Sequence, residues 1–493
     1  MFLIVANSEL QDAHLSLMEP SEAPHYGTAY TKILICYAIS VAMAIGLRVY
    51  LLWENGRRDK QQGVYIDLEE IHWGDNVVVH VTNKLSTSVK NGTSIHFHSI
   101  RQNYTNPSNG VVSITQCPTA QKSTITYKWR VIQYGSTWYH SRIGLQAWRG
   151  VFGTIKINGP ASANYNEDKG FVVLNDWDIN TVDELFDSAQ TGGPPALDNG
   201  LINRMNVPGT VGYANQTGSR WNTPFTEGTS YRFRLVNAAI NTHFKFMIDN
   251  HTMTVIASDL VPIEPYNTTV LDIAMGQPYD IIVRADKASV AKDFWLRAIP
   301  QEACSENQSV NSIKRIVYYG PSPSRPTTSP YSYPDACNDE DMSNLVPIVN
   351  PYTITSNLLY NKSEPHSMHV TWEDPTLLEI YRNHTSFTNT SGVVQLPRTD
   401  EWAFVIIEAT LSVPHPIHLH GHDFVVLSQG SGTYTAGDIT TINPPRRDTA
   451  KLPANGHLVI GFITDKPGAW LMHCHSGWHT EEGFAMQVVE RYS

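Results

Sequence analysis

Near its C-terminal end the chain carries the run His473-Cys474-His475, with one more histidine at His479. In an extended strand successive side chains point to opposite faces, so Cys474 lies on one face and both flanking histidines lie on the other. One strand can therefore supply ligands to two metal centres that lie back to back. The alternative is an ordinary buried cysteine between surface histidines, which we disfavour because three histidines lie so close to this one thiol.

A second run, Pro-His-Pro-Ile-His-Leu-His, contains His415, His418 and His420. Its prolines fix the backbone, which suits a preorganised ligand loop. His418 and His420 share one face of a strand, whereas His415 projects elsewhere. A thiolate with two imidazoles and a weak axial neighbour is the ligand set of a blue copper site. Cys474 and His479 can provide two of these ligands, and His415 can provide the third.

Two further clusters give weaker signals. His96 and His98 flank Phe97 and share a strand face, so both imidazoles can reach one metal centre. A single His-x-His pair is weak evidence in a chain with 20 histidines. His140 stands alone between Tyr139 and Ser141, and on its own it is more typical of a structural side chain.

From about Tyr65 onward the chain reads as short strands separated by turns, and helical patterns stand out only at residues 182–188 and 375–381. This arrangement favours β-sandwiches or barrels over βαβ units. At about 100–200 residues per domain, a chain of 493 residues predicts roughly three domains. The Pro/Ser/Thr-rich stretch 320–334 is interpreted as a linker. The strand-like segments are 77–81, 124–131, 151–157, 171–174, 231–236, 252–257, 279–283, 402–407, 424–427, 458–462 and 487–490.

The formal net charge of -11 argues against a nucleic-acid partner, because the chain offers no basic field to neutralise phosphates. The charge suits a protein that handles neutral or cationic small molecules. None of the five cysteines forms a Cys-x-x-Cys pair, so a zinc ribbon or a thioredoxin-like site is not expected.

Nine Asn-x-Ser/Thr glycosylation acceptors favour passage through the secretory pathway, a compartment in which disulfides form. Chance occurrence in a surface rich in Asn and Thr is the alternative. We expect a secreted or secretory-pathway monomer. The acceptors are Asn91, Asn103, Asn215, Asn250, Asn267, Asn307, Asn361, Asn383 and Asn389.

Residues 1–60 allow more than one interpretation. The apolar run 33–53 has the length of a marginal membrane anchor and is interrupted by Arg48. Its basic flank, at Arg57, Arg58 and Lys60, would leave the main body in the cytoplasm, against the glycosylation signal. A signal segment, an anchor and a wrongly assigned start all remain open, and we disfavour the anchor.

Together the histidine and cysteine clusters resemble those of the multicopper oxidases, and most closely the laccase-like enzymes of filamentous fungi. The resemblance starts at about Tyr65 and includes the runs 115–118 (TQCP), 135–141 (GSTWYHS), 249–251 (DNH) and 465–470 (DKPGAW). It implies an all-β chain of three tandem cupredoxin-like Greek-key domains. We place these domains at residues 61–163, 164–325 and 326–493.

The resemblance also implies four copper ions, distributed over a type 1 site, a type 2 site and a type 3 pair. It implies that a non-coordinating Phe484 lies at the axial position of the type 1 site. The implied ligands are His415, Cys474 and His479 for type 1; His96 and His418 for type 2; His98, His140 and His475 for one type 3 ion; and His420 and His473 for the other.

The main departure from the family is Arg142, which falls where the family has the third histidine of the second type 3 ion. A guanidinium stays protonated and has no lone pair to give to a metal. The chain is therefore expected to hold fewer than four ions if this substitution abolishes the site, and dioxygen reduction is expected to be impaired.

Smaller departures lie nearby. Phe97 and Ser99 replace a tryptophan and a glycine of the family, and Asn109 replaces an acidic residue near the type 2 ion. Asn241 replaces a carboxylate that accepts the proton of a phenol, so we expect weaker proton acceptance. Asp448 is either an acceptor behind the ligands or part of a turn salt bridge, and the sequence does not decide between them.

The resemblance implies a disulfide between Cys304 and Cys337. It pairs Cys117 with a cysteine in a C-terminal tail that this sequence does not include, so Cys117 is expected to be free. His243 and His251 are expected to be core or interface residues, because the middle domain of the family carries no copper there.

The resemblance implies an oxidase that removes single electrons from phenols and reduces dioxygen to water. In fungi such relatives often couple or cyclise phenolic secondary metabolites or pigment precursors. Two alternatives remain open, a ferroxidase-type metallo-oxidase and a catalytically impaired copper-binding protein in which Arg142 replaces a ligand.

Overall fold

The computed structural model describes residue 35 and the ranges 71–85, 92–207, 218–349, 367–384, 386–435 and 439–490. The elements described below belong to one compact unit that begins at Ile66. The apolar run 33–53, one interpretation of which was a membrane anchor, lies outside the described residues apart from Ile35. In the described part of the chain no helix has both the length and the apolar character to cross a bilayer.

The first group of strands forms a four-stranded sheet, in the order β1-β6-β5-β3, and the two-stranded pair β2-β4. Every second residue towards the end of β2 is buried, as expected for a strand with one face on a core. In the four-stranded sheet His96 pairs with His140, so two distant histidines become neighbours. The strands are Ile71–His72 (β1), Asn76–Thr82 (β2), His96–Phe97 (β3), Thr124–Arg130 (β4), Gly135–His140 (β5) and Phe152–Asn158 (β6).

The second group forms a six-stranded sheet, β13-β12-β15-β10-β7-β8, and a five-stranded sheet, β14-β11-β16-β17-β9. Phe233, Phe246 and Leu296 are among the fully buried side chains of its core. One helix, Val182–Gly192 (α1), begins with a capping box between Thr181 and Glu184. The strands are Glu167–Trp177 (β7), Asn199–Ile202 (β8), Asn222–Pro224 (β9), Ser230–Asn237 (β10), Phe244–Ile248 (β11), Met253–Ser258 (β12), Val261–Thr268 (β13), Leu271–Ile273 (β14), Pro278–Arg284 (β15), Asp293–Pro300 (β16) and Lys314–Tyr318 (β17).

The third group forms a five-stranded sheet, β18-β26-β25-β20-β23, and a four-stranded sheet, β19-β24-β21-β22. Their shared core includes Leu419, Trp470 and Cys474. The strands are Val393–Leu396 (β18), Trp402–Glu408 (β19), His415–Leu419 (β20), Phe424–Ser431 (β21), Arg446–Arg447 (β22), Thr449–Leu452 (β23), Gly456–Ile463 (β24), Gly468–Cys474 (β25) and Ala485–Glu490 (β26). Two short helices accompany them, Thr376–Tyr381 (α2) and Gly477–Glu481 (α3).

The all-β expectation is confirmed, and each strand-like segment of the sequence overlaps a strand of the structure. The two predicted helical segments correspond to α1 and α2. The helix α3 was not predicted, because five residues are too few to show a helical period. The three domain ranges placed on the sequence remain predictions.

The cysteines follow the expectation in the described residues. Cys304 and Cys337 form a disulfide. Cys117 is exposed and free, with its Sγ 3.8 Å from the carbonyl oxygen of Glu373. Cys474 is free and buried.

Candidate metal centres

The strand β25 separates two clusters of candidate ligands. It pairs with β20, which places Cys474 opposite Ile417 and His473 opposite His418. The Cys474 side chain lies in the core of the third group of strands. His473 and His475 lie among other buried histidines. The predicted division of this run between two faces is therefore present in the structure.

On the thiol side, three ligand atoms form a compact triangle. Sγ of Cys474 lies 3.7 Å from Nδ1 of His415 and 3.6 Å from Nδ1 of His479, and the two nitrogens are 3.2 Å apart. A point equidistant from the three atoms is about 2 Å from each, which is the length of a metal–ligand bond. The Phe484 ring centroid lies 5.0 Å from that of His415, and phenylalanine has no atom that could ligate a metal.

The protonation states on this side suit a cation. Burial raises the pKa of the Cys474 thiol to about 12, so ionisation of the thiol requires a nearby positive charge. Burial, the neighbouring His479 and the charge of Lys451 lower the pKa of His415 to about 4. Its imidazole is therefore neutral at ordinary pH, as a metal ligand must be.

The short helix α3 contains His479 and positions it at this triangle. Thr480 Oγ1 donates to the carbonyl oxygens of Cys474 and Ser476, which ties the helix to the end of β25. Gly477 lies so close to its neighbours that an added Cβ would be 2.5 Å from Ile240 and 2.6 Å from Trp148. The position of His479 therefore depends on the close contact at Gly477.

On the opposite side, His98, His140 and His475 bring three ring nitrogens together. The Nε2 atoms of all three have no hydrogen-bond partner although they are buried. Orphaned buried nitrogens are costly, and a shared metal ion would satisfy them. Burial and the charge of Arg142 lower the pKa of His98 to about 3, which keeps this imidazole neutral.

A second histidine group consists of His96, His418 and His420. The Nε2 atoms of His96 and His418 are 3.4 Å apart, and Nε2 of His473 lies 3.1 Å from that of His420. The Nδ1 atoms of His96 and His420 each hydrogen bond to Asn109, at 2.9 Å to its carbonyl and 3.0 Å to its side-chain oxygen. Such contacts hold the rings so that Nε2 faces the centre of the cluster.

Asp448 acts behind these ligands and is not part of a turn salt bridge. Its carboxylate lies 3.1 Å from Nδ1 of His98, and its carbonyl oxygen lies 2.8 Å from Nδ1 of His418. The adjacent Arg447 pairs instead with Asp259, at 2.8 Å. Of the two alternatives that the sequence left open, the position behind the ligands agrees with these contacts, and the hydrogen bond is the one between His418 and the carbonyl oxygen.

Asn241 lies beside the end of the thiol strand. Its side-chain oxygen accepts a hydrogen bond of 2.9 Å from Ser476, two residues beyond Cys474. Its backbone N–H donates to Asp176, a half-buried carboxylate whose pKa is raised by desolvation. The sequence analysis missed Asp176, which also accepts hydrogen bonds from the backbone of Ile240 and Thr242. Nothing in the local pattern around Asp176 signals this contact.

Arg142 is half-buried at the edge of the histidine cluster. Its charge is among the causes that lower the pKa of each of the seven clustered histidines. For His473 it is the largest cause after burial. Burial lowers the pKa of Arg142 to about 10, so the guanidinium stays charged at neutral pH. Among the described residues, no group of three ligands includes His473.

The remaining histidines lie elsewhere. His243 and His251 are fully buried, as expected for core residues. His251 is hydrogen bonded to the Tyr319 hydroxyl at 2.7 Å, and Nδ1 of His243 lies 2.8 Å from the Lys451 ammonium. The contact with Lys451 was not predicted, because the two residues are 208 positions apart.

Comparison with known proteins agrees with this geometry. Multicopper oxidase family profiles match residues 65–162, 168–321 and 355–493. A protein named Laccase-1 from Botryotinia fuckeliana is 46% identical over 440 residues, covering 85% of this chain and 76% of its own length. A Beauveria bassiana protein named Oxidoreductase OpS5 is 40% identical over 454 residues, which cover 86% of this chain and 76% of the relative.

Solved structures give the same result. The crystal structure of a laccase from Botrytis aclada matches with a TM-score of 0.79 and 42% identity, covering 85% of this chain and 81% of that one. Fet3p, described as a multicopper oxidase that functions in iron import, matches with a TM-score of 0.70 and 24% identity, covering 85% and 83%. At that identity the likeness to Fet3p concerns the fold alone. The chain belongs to the multicopper oxidase family, and it is a laccase-like copper oxidoreductase with three cupredoxin-like domains and oxygen as its electron acceptor.

Proposed function

We propose that the chain oxidises phenolic compounds one electron at a time at a site formed by His415, Cys474 and His479. The observation that carries this proposal is the compact triangle of one sulfur and two nitrogen atoms, with sides of 3.2 to 3.7 Å. This donor set would suit a blue copper ion, and the nearby Phe484 has no atom that could ligate it. Copper bound there would accept single electrons, which copper at the histidine cluster would deliver to dioxygen.

We assign the other ligands to three positions. His98, His140 and His475 would hold one ion, and their three unpartnered Nε2 atoms support this assignment. His96 and His418 would hold a second ion. The fourth position has only His420 and His473, and Arg142 replaces the third ligand.

Residues of β25 would connect the two sites. Cys474 is covalently flanked by His473 in β25 and by His475 just beyond the end of β25, so electrons need only cross adjacent residues of the chain. The ring of His473 is anchored by a 2.7 Å hydrogen bond between its Nδ1 and the Cys474 carbonyl oxygen. This contact provides a second short connection between the thiol residue and the histidine cluster.

The residues near the thiol site bear on where the proton of a phenolic substrate would go. The amide of Asn241 accepts a hydrogen bond from Ser476 and cannot take a phenolic proton as a carboxylate would. We therefore infer that the proton of the phenol goes to solvent. The natural substrate would be a phenolic secondary metabolite or pigment precursor whose radicals couple or cyclise after release.

A second candidate function is the oxidation of ferrous iron. Glu481 and Glu482 are exposed carboxylates, two and three residues beyond His479. Carboxylates beside the electron-entry site are the hard oxygen ligands that an iron substrate would require. Rapid oxidation of ferrous iron with no oxidation of phenols would favour this function over the first.

The test measures copper content, the visible absorption spectrum, and oxygen uptake with a phenol or ferrous iron. The wild type should be blue and consume oxygen with the phenol. Cys474→Ser should lose the blue band and the activity, whereas Cys117→Ser, which removes an exposed thiol, should keep both. A Cys474→Ser protein that retains wild-type phenol oxidation would refute the assignment.

We also propose that the chain is a secreted glycoprotein and a monomer. Among the described acceptor asparagines, Asn103, Asn250 and Asn267 are exposed, as are Asn383 and Asn389. Asn307 is buried and unsuited to carry a glycan. Mass spectrometry before and after enzymatic deglycosylation would locate the modified sites, and light scattering would give the oligomeric state.

A further inference from the structure

Lys451 is a buried cation in the strand next to β20, which carries His415 of the proposed electron-entry site. It lies in β23, which pairs with β20 so that Lys451 is opposite Pro416 and the next residue, Leu452, is opposite His415. Only 2% of the Lys451 surface is exposed. A lysine buried this deeply loses most of its hydration, so its position calls for an explanation.

The direct contacts of the ammonium are to uncharged groups. Nζ of Lys451 lies 2.8 Å from Nδ1 of His243 and donates to the carbonyl oxygen of Cys337 at 2.5 Å. Both partners are neutral. Among the described residues no carboxylate oxygen lies within 4.0 Å of this nitrogen, so its field reaches the groups around it.

The charged and titratable groups around Lys451 come from several elements. Asp339, from the segment after β17, and Asp272 in β14 favour its charged form, whereas Lys245 in β11 opposes it. Cys474 in β25 also favours the charged form of Lys451. In return, Lys451 is the only charged side chain among the causes that shift the pKa of Cys474. It also contributes to the lowered pKa of His415.

We propose that Lys451 is a positioning residue whose buried ammonium raises the reduction potential of the copper held by His415, Cys474 and His479. A nearby positive charge disfavours the oxidised ion, which carries the larger positive charge, more than the reduced ion. The same charge favours the thiolate form of Cys474, which is the form that ligates copper. The inference rests on the proposed copper assignment.

The proposal predicts that the reduction potential of this copper depends on pH. Burial lowers the pKa of Lys451 to about 7, so the charge of this side chain changes near neutral pH. The potential should therefore be higher about two pH units below that value than about two units above it.

The test is a redox titration of the blue absorption band of the copper-loaded full chain. Lys451→Met removes the charge but keeps an apolar stem, and Lys451→Gln also keeps a donor for the Cys337 carbonyl oxygen. Lys466→Met is the matched control, because Lys466 is also buried but pairs with Asp465 and does not act on Cys474.

Both Lys451 variants should have a lower potential than the wild type at acidic pH, and the difference should shrink at alkaline pH. Lys466→Met should keep the wild-type potential. If either Lys451 variant is blue and titrates at the wild-type potential, the proposal is wrong. If neither variant loads copper, a wild-type potential that does not change with pH would overturn it. A wild type without a blue band would instead refute the copper assignment itself.

Discussion

Arg142 brings a fixed charge into a cluster whose other members are neutral imidazoles. Its side chain acts on all seven clustered histidines, and Glu481 is the one acidic group that contributes to its own pKa. Two unit charges about 4 Å apart repel by roughly 4 kcal/mol at the effective dielectric of a protein, and a divalent ion doubles this. A copper ion at the proposed position beside His473 would therefore be disfavoured by repulsion, and no described group of three ligands includes His473.

Replacing this residue gives the first prediction. Arg142→His should raise the copper content by about one ion per chain and increase oxygen uptake, because it supplies an imidazole and removes the charge. Copper analysis and an oxygen electrode measure both effects. Arg149→His is the control, since Arg149 forms an exposed ion pair with Asp183. Unchanged copper content in Arg142→His would show that this position does not limit metal binding.

Single residues also show which features the sequence predicts and which it does not. The alternation of His473, Cys474 and His475 predicted two ligand faces, because strand geometry is local. The role of Lys451 could not be predicted, since its partners His243 and Cys337 lie more than 100 positions away. Contacts of this kind depend on how whole sheets pack, which no local pattern encodes.

At the scale of elements, β25 and α3 together position the residues of the proposed electron-entry site. Strands were predictable because β-branched and aromatic runs between turn residues are frequent in this sequence. The short helix α3 was not predictable, although it carries His479. Its placement depends on the contact of Gly477 with Ile240 and Trp148.

The second prediction tests this contact. Gly477→Ala should displace α3, weaken the blue band and destabilise the protein by about 1–3 kcal/mol, because the added methyl group has no free space. Absorbance and chemical denaturation provide the two measurements. Gly192→Ala, at the end of α1, should leave the blue band intact, since an added Cβ there meets nothing within 4 Å. Equal behaviour of the two variants would refute the positioning role of Gly477.

At the scale of the whole molecule, the buried imidazoles make the copper-free protein sensitive to acid. The pKa values of His98 and His418 fall to about 3, and those of His243 and His415 to about 4, mainly because of burial. Each value lies below the ordinary 6.5, so the unfolded chain binds more protons once the pH falls below that value.

The third prediction follows from these lowered pKa values. The free energy of unfolding of copper-free protein should decrease as the pH falls from about 6.5 towards 4, by up to about 1.4 kcal/mol per pH unit for each such histidine. Urea denaturation at several pH values measures it. His243→Gln, which removes one of these groups away from the metal ligands, should reduce the slope. A stability that is constant over this range would contradict the assignment of neutral buried histidines.

The two proposed sites draw their ligands from different parts of the chain. His415, Cys474 and His479 all belong to the third group of strands, whereas the cluster also needs His96, His98 and His140 from the first. Partial loss of structure should therefore affect the two sites in a fixed order. In increasing denaturant, oxygen uptake should disappear at a lower concentration than the blue colour. An oxygen electrode and a spectrophotometer would measure the two midpoints, and coincident midpoints would contradict this order. At denaturant concentrations between the two midpoints, the protein would be a blue electron acceptor that can be reduced once but no longer reduces dioxygen.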